Sequence, residues 1–237
     1  MRIKKAFILA AGLGKRMRPL TDTCPKPLLE VNGRTMIDRA LDACVRVGVR
    51  DIVVNLNYLG EMIEDHLKAR TDVKITFSWE DELLETGGGV KKHLDHFKDE
   101  AFFVLNSDVI WTDAKKPALQ GLMDNWDDAS MDMLLMLYDK GRLPEKGIAG
   151  DYVLCEGNHI IRNKDGAMKA DYMFTGPRIV HPRLFGEYPT GAFSFRTLFD
   201  RAEMDDRLFG FVHEGAWYHV GTPEALISTE ELLKKAA

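Results

Sequence analysis

The stretch AFILAAGLGKRMRPLTDTCPKP, residues 6–27, carries the clearest structural pattern in the sequence. It begins with a small apolar run that predicts a buried strand, and then reaches a turn that contains Gly12 and Gly14. Glycines let a ligand approach the backbone closely, and the amide groups of such a turn can bind phosphate. Arg16, and Lys26 between two prolines, add the positive charge that stabilises a reacting triphosphate. The stretch therefore predicts a strand that opens into a phosphate-binding loop.

Two glycines alone are weak support for this interpretation. The stretch lacks the third glycine of a dinucleotide-binding turn and the GK[ST] ending of a P-loop. The alternative is an ordinary strand-to-helix turn followed by a solvated basic helix. Motifs elsewhere in the chain are needed to distinguish a phosphate-binding loop from an ordinary strand-to-helix turn.

The pattern downstream predicts alternating helices and strands. Helical periodicity or β-branched runs predict helix 34–47, strand 51–56, helix 58–67, strand 73–78 and strand 102–105. This alternation is typical of a three-layer, Rossmann-like α/β fold with a mostly parallel central sheet. Binding sites in such sheets lie beyond the carboxyl ends of the strands, which places Gly12, Asn55 and Asp108 along one edge.

The chain is predicted to form one domain, residues 1–237, with a nucleotide-binding core at 1–140. Residues 141–237 are predicted to form a smaller lobe and a C-terminal helix. Two glycine turns within 141–166 predict hairpins of a separate, smaller sheet.

A second glycine-rich segment, ETGGG, covers residues 85–89. Three consecutive glycines cost backbone entropy, so they indicate unusual φ angles or a ligand close to the chain. The alternative is a plain entry into a helix predicted at 90–97.

Asp108 follows the predicted strand FFVL and a short NS sequence. A carboxylate at the end of a parallel strand, beside a phosphate loop, is well placed to bind a divalent metal. The alternative is an Asx turn or a helix cap.

Composition narrows the class of protein. The 237 residues carry a net charge of −5 with a pI of about 5.8, which disfavours nucleic acid as a partner. The three cysteines lack metal-ligand spacing, and no apolar run reaches membrane-spanning length. We therefore expect a cytoplasmic protein with free thiols and no membrane partner.

Four segments together resemble the sugar-1-phosphate nucleotidyltransferases: LAAGLGKRMRPLTDTCPKPLLEVNGRTMI, LETGGG, NSD and WYHVGTPEAL. The resemblance implies that family's fold, with a small sugar-binding lobe, and its reaction. An NTP and a sugar-1-phosphate would give an NDP-sugar and pyrophosphate, with Mg2+ as the cofactor. Within the family, the chain is most similar to N-acetylmuramate-1-phosphate uridylyltransferases and to short mannose-1-phosphate guanylyltransferases.

The resemblance also implies roles for individual residues. Catalysis would rest on Arg16, Lys26 and Asp108. The nucleotide would contact Leu9, Ala10, Ala11, Gly12, Gly14, Lys15, Asn55 and Gly88. The sugar would contact Glu85, Thr86, Gly87, Thr175 and Gly176. For Asn55, a purely structural role at the strand end is an equal alternative.

Two positions depart from the family pattern. Ser107 replaces the glycine of its GD motif, and His219 replaces the aspartate that would pair with Asp108 on the metal. His219 could hydrogen-bond a substrate phosphate, could ligate a softer metal, or could mark an inactive site. We expect the first of these, with Asp108 holding Mg2+.

The preferred hypothesis is a uridylyltransferase that acts on an N-acetylmuramate-1-phosphate-like sugar, as a monomer or homodimer with small-molecule partners only. The alternatives are a guanylyltransferase for mannose-1-phosphate, a phosphocholine-type cytidylyltransferase, and a nucleotide or sugar sensor without catalysis.

Overall fold

The computed structural model of the chain describes residues 3–145, 147–186 and 188–236. The α-helices in these ranges are α1 (Met36–Arg46), α2 (Gly60–Lys68), α3 (Glu85–Lys92), α4 (Ala118–Asn125), α5 (Phe195–Met204) and α6 (Pro223–Ala236). The strands are β1 (Lys5–Leu9), β2 (Glu30–Val31), β3 (Arg34–Thr35), β4 (Asp51–Leu56), β5 (Lys74–Trp79), β6 (Phe102–Asn106), β7 (Val109–Trp111), β8 (Met133–Asp139), β9 (Tyr152–Leu154), β10 (Ile160–Arg162), β11 (Tyr172–Val180), β12 (Leu208–Val212) and β13 (Trp217–His219).

One mixed sheet runs through the described part of the chain, in the order β10-β9-β11-β6-β1-β4-β5. β8 pairs with β11, and β12 pairs with β8. Strands β6, β1, β4 and β5 are parallel, because helical crossovers connect them, whereas β11 runs antiparallel to β6. The carboxyl ends of β1, β4 and β6 therefore meet at one edge, as predicted.

Helices cover both faces of this sheet. On one face, Ile8 of β1 packs in a cluster with Leu41 of α1 and Ile63 of α2. On the other face, Phe7 packs in a cluster with Val90 of α3. Successive β1 side chains thus enter opposite cores, as the two-residue period of a strand requires. The three-layer α/β prediction is confirmed.

The predicted separate sheet in the second half is wrong. β9 and β10 form a hairpin, but β9 also pairs with β11 through Tyr152 and Tyr172. Since β11 is long enough to pair with β9 at one end and β6 at the other, the hairpin extends the main sheet.

The prediction for ETGGG is also wrong in its local structure. Residues 85–89 are already the first turns of α3, which ends at Lys92 rather than near residue 97. The φ angle of +57° in this segment belongs to Glu85, whereas the three glycines are helical. No helix in the described ranges is long and apolar enough to cross a membrane.

Candidate active site

The loop after β1 is held in a defined shape by its own hydrogen bonds. Gly14 has a φ of +60°, and its carbonyl accepts a hydrogen bond from the Thr21 hydroxyl at 2.9 Å. The Tyr58 hydroxyl in turn donates to the Thr21 carbonyl at 2.8 Å. Within the described ranges, the amides of residues 12–14 donate to no protein acceptor. The loop therefore presents free N–H groups at the carboxyl edge of the sheet, which is what an anion requires.

An ion pair joins this loop to the end of β6. The Lys26 ammonium donates to Oδ2 of Asp108 at 2.8 Å, and both side chains are largely enclosed. Ser107 holds the two strand ends together, because its amide and its hydroxyl both donate to the Leu9 carbonyl, at 3.3 and 2.7 Å. Two residues far apart in sequence are thus fixed in contact beside the phosphate loop.

These groups line a cleft of about 210 Å³. Its lining residues are Gly14, Lys15, Arg16, Met17, Lys26, Asp108 and Gly221. The structure therefore brings together Arg16, Lys26 and Asp108, the three predicted catalytic residues, with two of the predicted nucleotide contacts. A small opening with amide donors and three cations suits a chain of phosphates.

His219 reaches the same place from the far end of the chain. It lies on β13, which pairs with β7 so that His219 is opposite Val109, the residue after Asp108. The surrounding protein partly shields the imidazole ring of His219 from water, and this desolvation lowers its pKa, although solvent still reaches the side chain. The positive charges of Lys26 and Arg16 lower this pKa further, and Asp108 opposes them. A neutral imidazole therefore stands beside the ion pair at neutral pH.

The donor set fits a divalent metal only in part. Among the described residues, no three His, Cys, Asp or Glu side chains are grouped so that they could hold an ion. Asp108 is the carboxylate in the cleft, with His219 as its neutral neighbour. Mg2+ is commonly held by one or two carboxylates together with substrate phosphates, so the site suits Mg2+ that arrives with a nucleotide.

The side chain of Asn55 makes hydrogen bonds within the protein. Its side chain is buried, and its Oδ1 accepts a hydrogen bond from the Ala10 amide at 2.7 Å. Its Nδ2 donates to Oε1 of Glu80 at 2.7 Å, and Oε2 of Glu80 accepts from the Leu84 amide at 2.9 Å. This chain of contacts connects the start of the phosphate loop to the segment before α3. Asn55 therefore positions Ala10 at the start of the phosphate loop.

The three glycines of α3 face protein, not open space. A Cβ on Gly88 would lie 2.0 Å from the Gly191 carbonyl oxygen, and one on Gly87 would lie 2.4 Å from the Phe193 ring. The amides of both glycines donate to the Phe193 carbonyl, at 2.9 and 3.1 Å. The Thr86 hydroxyl accepts from the Phe195 amide at 2.9 Å. The close approach that the sequence indicated is thus to the segment before α5.

The hydroxyl of Thr175, a predicted sugar contact, is turned into the sheet. The hydroxyl is buried and donates to the Met136 carbonyl at 2.7 Å, because Thr175 lies within the sheet. Its neighbour Gly176 has a φ of +107° at a bulge in β11. A Cβ there would approach Val109 and Asn106 at 3.2 and 3.4 Å. Gly176 is therefore packed against the residues that flank Asp108.

A larger apolar hollow of about 630 Å³ lies on the other side of His219. Tyr138 and Trp217 form one wall, with ring centroids 5.8 Å apart, and the Trp217 indole donates to the Thr175 carbonyl at 3.2 Å. None of the predicted sugar contacts lines this hollow. Trp217 could have been singled out from the WYHVGTPEAL segment, whereas the position of Tyr138 had no signal in the sequence.

Comparisons with known proteins identify the family of the chain. The sequence profile of the Nucleotidyl transferase family matches residues 5–149. The chain is 38% identical to an N-acetylmuramate alpha-1-phosphate uridylyltransferase of Caulobacter vibrioides, over 98% of both chains. It is 33% identical to the enzyme of the same name from Neisseria meningitidis, over 92% of this chain and 93% of that relative. It is also 33% identical to a mannose-1-phosphate guanyltransferase of Hypocrea jecorina, over 94% of this chain but 62% of that relative.

Solved structures support the fold. HddC from Yersinia pseudotuberculosis superposes with a TM-score of 0.74 at 23% identity, covering 98% of this chain and all of HddC (100%). The UTP-bound UGPase from Acinetobacter baumannii gives a TM-score of 0.77 at 16% identity, covering 99% of this chain and 94% of that one. With the profile match spanning more than half of the sequence, the chain belongs to the nucleotidyl transferase family of enzymes, which its motifs resemble.

Proposed function

We propose that the protein joins UTP and N-acetylmuramate-1-phosphate, with release of pyrophosphate. The observation that carries this proposal is the Lys26–Asp108 pair at 2.8 Å beside the free amides of the phosphate loop. The substrates are those named for the relatives that match 98% and 92% of the chain. The sugar phosphate would supply the nucleophilic oxygen, so the reaction needs no general base.

Arg16 and the amides of residues 12–14 hold the β and γ phosphates in this proposal, with Lys15 at the rim. They stabilise the charge that develops on pyrophosphate as it leaves. Lys26 lies deeper, against Asp108, and would approach the α-phosphate oxygens. Positioning and charge stabilisation then account for catalysis, since both reacting groups are phosphates.

Asp108 would hold Mg2+ together with the substrate phosphates. The bound ion would neutralise phosphate charge that Lys26 and Arg16 leave uncompensated. In this arrangement His219 donates a hydrogen bond to a phosphate oxygen and does not ligate the metal. The protein's task is then to keep the Asp108 carboxylate facing the cleft.

The nucleoside would lie between Leu9 to Ala11 and the start of α3, where Gly88 is packed. The sugar would lie towards Gly176, with Glu85 to Gly87 at the border of both subsites. This arrangement makes residues 1–140 the nucleotide-binding core and residues 141–237 the sugar-binding lobe. We further propose a cytoplasmic enzyme, a monomer or homodimer, that binds neither nucleic acid nor membranes.

Steady-state kinetics with each nucleotide test the proposed base. UTP is expected to give the highest kcat/KM with N-acetylmuramate-1-phosphate among the four NTPs. The guanylyl alternative is supported by the relative from Hypocrea jecorina, and a higher kcat/KM with GTP and mannose-1-phosphate would establish it. Pyrophosphate release with phosphocholine and CTP would instead favour the cytidylyl alternative, and no release with any pair would favour a sensor.

A further inference from the structure

Arg178 is a buried cation without an anionic partner. It lies on β11 with 2% of its surface exposed, and no carboxylate pairs with it among the described residues. Its Nε atom is buried and has no hydrogen-bond partner. Burial lowers the pKa of this group to about 9, so it remains charged at neutral pH. An uncompensated buried charge is costly, and a fold that keeps one calls for a functional reason.

The contacts of Arg178 lead to the active site. Its Nη1 donates to Oδ1 of Asn106 at 3.0 Å and to the Gly176 carbonyl at 2.7 Å. Its guanidinium also lies over the Phe195 ring, 4.1 Å from the centroid, and this contact holds its plane. Asn106 is two residues before Asp108 and is the last residue of β6.

The hydrogen bond to Arg178 fixes which way the Asn106 amide faces. Because Arg178 can only donate, Oδ1 of Asn106 must be the atom that points to it, and Nδ2 must point away. In the described part of the chain, Nδ2 donates to no protein acceptor and is not enclosed. The amide therefore offers an oriented donor that the fold itself does not use.

The position of Asn106 favours the sugar phosphate as its acceptor. β6 lies between β1, which leads into the phosphate loop, and β11, which belongs to the second half of the chain. The side chain of Asn106 packs against Gly176, on the β11 side. A donor here, supported by an uncompensated positive charge, suits an anionic ligand with oxygen acceptors.

We propose that Arg178 is a positioning residue for the sugar-1-phosphate: it orients Asn106 so that Nδ2 donates to that substrate, and its charge favours the bound anion. This inference rests on the proposed function, because it needs a sugar-1-phosphate as the second substrate.

Arg178→Met and Arg178→Lys test the positioning role. In Arg178→Met the amide is free to rotate, and KM for the sugar phosphate should rise about 10-fold, as expected for one lost hydrogen bond to a charged group. KM for the NTP should change less than about 2-fold, because the phosphate loop is untouched. Arg178→Lys keeps the positive charge and a hydrogen-bond donor group, and should recover part of the loss.

A matched control separates this effect from destabilisation. Arg183→Met removes an arginine that pairs with the buried Asp132 at 2.5 Å, away from the cleft. It should lower the melting temperature with both KM values unchanged. If Arg178→Met behaves in the same way, the positioning role is wrong.

Two changes at Asn106 give a second, independent readout. Asn106→Asp supplies the missing carboxylate partner, so the melting temperature should rise, yet kcat/KM for the sugar phosphate should fall at least about 10-fold because the donor is lost. Asn106→Ala removes the donor without adding charge, and should lower both kcat/KM and the melting temperature. Wild-type constants in either variant would overturn the inference.

The outcomes also separate this inference from the proposed function. If the wild-type protein uses no sugar-1-phosphate, the proposed function fails. If it does, and the Arg178 and Asn106 variants alter only the KM for the NTP, the assignment to the sugar phosphate fails while the proposed function stands.

Discussion

The two glycine-rich segments of this protein look alike in sequence and differ in what surrounds them. Gly12 is exposed, and a Cβ built on it would meet nothing within 4 Å. Gly88 is buried, and the same Cβ would lie 2.0 Å from a backbone oxygen of Gly191. The first segment keeps its backbone open to solvent, whereas the second brings α3 against the segment before α5. A glycine run thus indicates a close approach, but only the fold tells whether a ligand or the protein makes it.

The largest expected effect is on kcat, and it tests the phosphate loop that contains Gly12. Lys26→Ala removes the ammonium paired with Asp108 and should lower kcat about 100-fold, or roughly 3 kcal/mol. Arg16→Ala should act in the same direction. Lys116→Ala, which breaks an exposed ion pair with Asp124, is the control and should leave kcat unchanged. Near wild-type turnover in folded Lys26→Ala and Arg16→Ala would show that the phosphate-loop interpretation is wrong.

The second largest effect is on stability, and it tests the buried glycines at the start of α3. Gly88→Ala forces α3 away from Gly191, because the clashing atom belongs to the backbone and cannot rotate aside. The free energy of unfolding should fall by about 3 kcal/mol, at the upper end for overpacking. Chemical denaturation of the two proteins measures it. An unchanged midpoint would mean that α3 does not pack as described.

Gly12→Ala should separate stability from activity in the opposite way. A methyl group fits here without a clash, so the free energy of unfolding should stay within about 0.5 kcal/mol of wild type. The methyl group would occupy the space proposed for a phosphate, and kcat/KM for the NTP should fall about 10-fold. Equal kinetics for Gly12→Ala and wild type would indicate that no ligand approaches this glycine.

The smallest expected effect concerns His219. With Asp108 as the protein ligand, wild type should be active with Mg2+, and Mn2+ or Co2+ should change turnover by less than about 10-fold. Activity with Mn2+ or Co2+ but none with Mg2+ would identify His219 as a metal ligand. If no metal supports turnover in wild type and His219→Asp restores it, the protein is a sensor whose site has lost its catalysis.

The sequence was sufficient to predict the alternating α/β core of the fold and the position of Asp108 in the candidate site. β4 begins and ends where its β-branched run predicts, and the alternation of strands and helices places Asp108 beside the phosphate loop. These features depend on local periodicity and on the topology of parallel sheets, both of which are visible in a single chain. The ion pair of Lys26 and Asp108 follows from the same topology.

The remaining features of the candidate site depend on contacts between segments that are distant in sequence. The burial of the Thr175 hydroxyl, the packing of Gly88 on Gly191 and the hydrogen bond from Arg178 to Asn106 join residues from different elements. No periodic pattern encodes such contacts, because they result from how elements pack once the sheet has formed. The sequence therefore identified Gly176 as a residue of interest and gave no reason to consider Arg178.

The most direct test of the proposed reaction is pyrophosphate release from UTP and N-acetylmuramate-1-phosphate, measured side by side for wild type and Lys26→Ala with Mg2+. Wild type should release pyrophosphate and form UDP-sugar in equal amounts, and the folded variant should react at a rate about 100-fold lower. Equal rates from the two proteins would show that this role of Lys26 is wrong, because the reaction would then not depend on the ion pair at the centre of the cleft.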